Sequence, residues 1–258
     1  MRELIVDVKK DNACFIDYIY NKISLPVKTV GGVCVLSSKN DKIILGIAVS
    51  DECFEIINKA VKGYIAEVLA VGYKNRYLRQ HINIDSESLI GKILLDTMCI
   101  FDSSYDAGII RKQIDDLDIV NLDGCYNFRI GEIKDKWNDI VSLSNSYKGI
   151  LQDKEVIFDF IAYLMGAVPS LCDTITVIVS DKFDKFELMN SAGMLLDKFK
   201  SFSLSDDIRE NIIFNLICYN PNLVVFCGEV SFGGDEFSDI LFEFFNVREF
   251  LSEIQKNN

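Results

Sequence analysis

The apolar residues of this 258-residue chain change their period along its length, and that change restricts the fold more than any single motif. Leu4, Val6 and Val8 alternate with neighbours that include the charged Glu3, Asp7 and Lys9, the period of a strand with one buried face. Over 54–69 the spacing becomes helical, with Phe54, Ile57, Ala60, Val61, Ile65, Val68 and Leu69 on one stripe. Residues 174–179 and 223–227 return to short apolar runs of strand type. The chain therefore reads as a mixed α/β (α+β) protein with an N-terminal β-α-β-β segment, a central helical region and a C-terminal small mixed sheet with helices. We place the division at 118/119, with an N-terminal lobe 1–118 and a C-terminal lobe 119–258 sharing one core.

Local signals refine this outline. After the interruption at Pro26, 33–36 and 43–49 flank the Ser37-Ser38-Lys39-Asn40-Asp41 turn cluster as a hairpin. Ser50 is placed to cap a helix with Asp51 and Glu52 in its first turn, running to about Val71 and stopping at Gly72. Further helices are expected over 73–82, 86–101 and 105–117. The stretch 119–129 reads as extended and leads into a helix whose stripe is Ile133, Trp137, Ile140, Val141, Ser144 and Tyr147, placing the single Trp in the core. A partner helix over 156–168 closes at Pro169, and 174–179 with 185–189 forms a second hairpin. Ser203 or Ser205 is expected to cap a helix through Ile217. Residues 223–227 read as a central strand, and 235–245 as the last helix.

Composition excludes more than it assigns. Hydrophobic residues make up 49%, with 18 Phe and 10 Tyr, so the apolar surplus is bulky and part of it is expected in an interface. The mean hydropathy is +0.18. No apolar run approaches the ~18 residues of a bilayer span, and 1–10 lacks the layout of a secretory signal, so a cytoplasmic protein without membrane insertion is expected. A formal charge of −12 argues against nucleic acid as a partner. The densest basic group, Lys74, Arg76 and Arg79, reads as a solvated helix face. The 8 cysteines lie among apolar neighbours without a Cys-x-x-Cys pair and read as reduced core thiols.

The single histidine, His81, would have to serve any His-dependent triad or metal site, and its place at a helix end has an ordinary structural reading. No dinucleotide or nucleotide phosphate loop is present, and neither a cofactor nor a metal site is expected. Gly31-Gly32 reads as a plain turn. Gly233 and Gly234 lie in a strand-loop-helix context where backbone N–H groups can hold an anion, although Glu229, Asp235 and Glu236 disfavour phosphate. The acidic clusters Asp115-Asp116-x-Asp118 and Asp206-Asp207 lack the pattern of a calcium loop and read as solvated helix termini.

The segment Leu122-Asp123-Gly124-Cys125-Tyr126-Asn127-Phe128-Arg129-Ile130, followed by the Trp137 helix, carries a family likeness. It resembles the YtxC-like family of putative sporulation proteins, in which a leucine, acid, glycine, aromatic stretch ending in Phe-Arg precedes a helix. The order of Phe160-Ile161, the Thr-Val-Ile-Val strand, Phe186-Glu187-Leu188, the run 212–225 around Pro221 and Phe244-Phe245 is similar as well. The resemblance covers roughly 119–246. It departs at the C-terminal end, where the family's Cys-rich tail has no counterpart after Cys227, so no thiol or metal role of that tail carries over. What it implies is a sporulation-associated process with no catalytic residues to transfer. Arg129, the cation of the motif, is a candidate ligand-binding residue, with anchoring of the Trp137 helix as its structural role.

These readings converge on a non-enzymatic interaction protein, binding a protein partner or forming a homo-oligomer. The alternative is a small-ligand sensor or carboxylate-based enzyme with a pocket between lobes, drawing on Arg129, Gly233 and Gly234.

Overall fold

The structure is a computed structural model that describes residues 1–83, 88–146, 153–180, 183–199, 202, 205–227 and 235–250. In chain order its main elements are β1 (Arg2–Lys9), α1 (Ala13–Thr29), β2 (Val33–Lys39), β3 (Lys42–Val49), α2 (Asp51–Glu67), α3 (Lys74–His81), α4 (Leu89–Ile100), α5 (Ser103–Gln113), β4 (Ile119–Asn121), α6 (Leu122–Gly124), α7 (Gly131–Ser146), α8 (Lys154–Met165), β5 (Thr174–Val179), β6 (Phe186–Asn190), α9 (Ile208–Tyr219), β7 (Leu223–Cys227), α10 (Glu236–Phe244) and β8 (Val247–Phe250). The expected α/β class holds, with strands toward both ends and helices between.

The chain forms two compact units, 1–81 with 103–143 and 82–102 with 144–258. Neither is a continuous stretch, so the division is not at 118/119. The reason lies in β4, which pairs in parallel with β1 through Ile5↔Ile119 and Asp7↔Asn121 and thereby ties 119–143 to the first unit. Helix α4 packs on α8 and α9 and so belongs to the second.

The first unit is built on a four-stranded sheet of order β2-β3-β1-β4. Leu4, Val6 and Val8 of β1 and Leu45, Ile47 and Val49 of β3 are buried on one face, where α1 and α2 pack. Between β2 and β3 the turn is Asn40-Asp41, with Asn40 at φ 56°, a conformation that asparagine tolerates. Pro26 lies inside α1 rather than ending it, because the helix has only three residues to run beyond it. Gly31, at φ 72°, then terminates α1, with its N–H donating to the Lys28 carbonyl.

Gly72 does not stop a helix. Residues 51–81 are one continuous helical run in which Val68–Tyr73 is a π-helical segment joining α2 to α3. A Cβ on Gly72 would stand 2.4 Å from Phe15 Cε1, so the glycine is required by the close approach of α1. Only 119–121 of the stretch 119–129 is extended; α6 and a second π-helical segment, Cys125–Arg129, follow. The Asn121 side chain accepts from Gly124 N–H and starts the helical turn before a strand can continue.

The second unit carries a four-stranded sheet of order β6-β5-β7-β8, with β5, β7 and β8 parallel and β6 antiparallel. Strand β7 is central, as its all-apolar run suggests. Helix α9 is buried nearly all round, Ile212, Ile213, Phe214, Leu216 and Ile217 being solvent-inaccessible. Its cap is Asp207, whose carboxylate accepts from Arg209 N–H at 2.9 Å; Ser205 Oγ accepts from Asp207 N–H instead, and Ser203 lies outside the described residues. Its end is Asn220 at φ 43°, whose amide donates to the carbonyls of Met165 and Val168 and so fastens the end of α8. No helix of the described residues is long and apolar enough to cross a membrane.

Candidate functional site

The motif 122–129 is built around Asp123. Its carboxylate accepts from Lys9 N–H at 2.8 Å, from Asn12 Nδ2 at 2.5 Å and from the Tyr73 hydroxyl at 2.9 Å, joining the end of β1, the start of α1 and the first π-helical segment. Arg76 donates to Asn12 Oδ1 and to the Asp11 carbonyl and lies over the Phe15 ring. The Tyr73 ring packs on Phe15 at 5.0 Å and on Tyr126 of the second π-helical segment at 4.9 Å. Two π-helical segments thus meet through a tyrosine pair above a buried carboxylate. Burial, reinforced by Asp123, pushes the Tyr73 hydroxyl far above its ordinary range and keeps it a donor. With its oxygens committed to three donors, Asp123 holds the local fold rather than offering a general base.

A second buried carboxylate has the same character. Asp106 and Lys74 are both fully buried and stand 3.3 Å apart. Lys136 Nζ and Trp137 Nε1 each donate to Asp106 at 2.9 Å. Lys74 is therefore a core residue, so the basic group Lys74, Arg76 and Arg79 is not a solvated face. Arg79 is turned onto Asn75 Oδ1 at 2.7 Å. In the second unit, Lys92 lies 3.4 Å from buried Glu210. Burial pushes the Cys218 thiol well above its usual value, with Asp96 and Cys99 adding to the shift, which leaves it unreactive.

Of the residues singled out from sequence, Arg129 and His81 lie among the described residues. Arg129 is exposed at the end of its π-helical segment, 3.4 Å from Asp116, and donates to the Gln113 carbonyl at 3.3 Å. It anchors the end of α5. Gly233 and Gly234 lie outside the described residues. His81 Nδ1 is 2.8 Å from the Tyr77 carbonyl, and its ring stacks on Tyr77 at 4.3 Å. All 8 cysteines are free thiols, and no group of three or more His, Cys, Asp or Glu side chains suited to a metal ion occurs among the described residues.

What remains is a surface. Side chains of ladder partners project to the same side of a sheet, so the face of the first sheet opposite α1 and α2 can be read row by row. Val33, Ala48 and Glu3 form one row, and Val35, Gly46, Ile5 and Ile119 the next. Ser37, Ile44, Asp7 and Asn121 form the third, and Lys39, Lys42 and Lys9 the last. Val33, Val35 and Ile119 are 52%, 53% and 65% exposed. Around Gly46, Val35, Ile5 and Ile44 line a shallow trough. Asp7, between the apolar and basic rows, accepts from Lys42 Nζ at 2.9 Å and from the Asn121 amide.

This face was missed from sequence, although a signal for it exists. Ile43-Ile44-Leu45-Gly46-Ile47-Ala48-Val49 is apolar at both parities, the pattern of a strand covered on both faces, while the first unit covers only one. No family model, no curated protein and no solved structure matches the chain.

Proposed function

We propose that the chain works by docking another protein on the outer face of its first sheet, as a non-enzymatic component in the cytoplasm. The observation that carries this reading is the apolar centre of that face, Ile5, Val33, Val35, Ile44 and Ile119, on a sheet whose other face is already filled by α1 and α2. Contiguous apolar surface of this kind marks an interaction site. The polar clusters support the same reading from the other side, because Asp106 and Asp123 are engaged by fixed donors. The resemblance of 119–246 to YtxC-like proteins supports sporulation as the process served.

The test is genetic. Removing the chain from its own cells should lower the yield of heat-resistant spores, and restoring it should recover that yield. A Val35→Glu chain should accumulate to the same level, since exposed substitutions cost within about 0.5 kcal/mol, and yet fail to restore spores. Full recovery by Val35→Glu would remove the face from the function.

A further inference from the structure

The geometry points to a second copy of this chain as the occupant of that face, packed sheet on sheet about a two-fold axis that lies in the interface and runs across the strands. This rests on the docking reading and names its partner. The face is not uniform along its strands. One end carries Glu3 and the other Lys9, Lys39 and Lys42, with the apolar row of Val35, Gly46, Ile5 and Ile119 and the mixed row of Ser37, Ile44, Asp7 and Asn121 between. A two-fold axis parallel to the strands would set lysines against lysines. The axis across the strands reverses the rows and sets each Glu3 against the other copy's Lys9.

The same operation, placed between the row of Gly46 and the row of Ile44, seats each Ile44 over the other copy's Gly46. Gly46 is the one position in the centre of the face without a side chain, and the space above its Cα is open. An isoleucine opposite a glycine, repeated twice by symmetry, is the knob-and-hole match that an isologous interface requires. Asp7 enters this interface already paired with Lys42 and Asn121 rather than as a bare charge.

The size of the face sets the strength. Strands of seven to eight residues spaced about 4.8 Å apart give a footprint of roughly 20 by 25 Å. A pair of such faces buries on the order of 1,000 Å² in total, the low end for specific interfaces. The dimer is therefore reversible and depends on concentration.

Sedimentation velocity on the full chain across a range from micromolar to millimolar is the experiment. The expected result is a monomer–dimer equilibrium that Gly46→Lys weakens at least tenfold with an unchanged melting temperature. Glu3→Lys should weaken it as well, by opposing lysines to Lys9, and Glu3→Lys combined with Lys9→Glu in one chain should restore it. Restoration belongs to self-pairing in this orientation, because a different partner would not change its charges in step. A chain that stays monomeric throughout, a dimer indifferent to Gly46→Lys, or a charge exchange that fails to restore association would each overturn the proposal. None of these results decides the docking reading, which the spore yield of Val35→Glu judges separately.

Discussion

At the scale of single residues, the decisive groups are buried charges met by several partners. The buried Asp106 carboxylate receives Lys74 and Trp137 from the core and Lys136 from the partly exposed side. Removing the carboxylate would take a counter-charge from the buried Lys74 ammonium and the acceptor from Trp137 Nε1, so Asp106→Ala should cost about 3–5 kcal/mol, read as a lower urea midpoint. Asp106→Leu with Lys74→Met should recover most of that loss, because the pair's desolvation disappears with its attraction. Trp137 was legible as a core residue from its helical stripe, and it is solvent-inaccessible. Lys74 was not, because a lysine in an amphipathic helix normally faces water and only the fold places Asp106 against it. Arg129 is exposed and reaches Asp116 and the Gln113 carbonyl at the end of α5.

A helix start is legible where one side chain and the N–H two or three residues on suffice, although at the head of α9 Asp207 takes the place expected of Ser203 or Ser205. Asp235 is such a case: its carboxylate accepts from Ser238 N–H at 3.0 Å and from the Ser238 hydroxyl at 2.7 Å at the head of α10. The Ser238 hydroxyl above all, then its N–H and Arg209, hold this carboxyl below its ordinary range against the opposing effect of burial. A carboxyl lowered in the folded state adds stability that is complete above its unfolded value, about 3.9, and fades as pH falls through the folded value. The stability difference between the native chain and Asp235→Asn, which keeps a capping oxygen, should therefore be present at pH 6 and fade as the pH falls below the unfolded value of about 3.9 in denaturant titrations. Helix stops were less legible. Gly72 and Pro26 carry the local marks of termination, but the contact with Phe15 in one case and the nearness of the helix end in the other gave them different work.

For the whole molecule, the two units cross the chain rather than follow it. A chain divided at 118/119 would separate β4 from β1 and remove Asp123 and Trp137 from the elements they hold. The fragment 119–258 alone should therefore leave α7 without the partners of Trp137, and amides of 131–143 should exchange at unprotected rates although they are protected in the full chain. Protection of that helix in the fragment would show that the second unit supports it. The sequence by itself determined the alternation of β1, the hairpin of β2 and β3, the central place of β7 and the amphipathic helices, because each depends on periods and caps spanning a few neighbours. Only the tertiary structure decided that 119–143 joins the first unit, that β8 adds to the second sheet, that two π-helical segments meet over Asp123, and that the described residues of the first unit cover only one face of its sheet. These depend on which distant segments meet, and a hydrophobic pattern records that a face must be covered without recording what covers it.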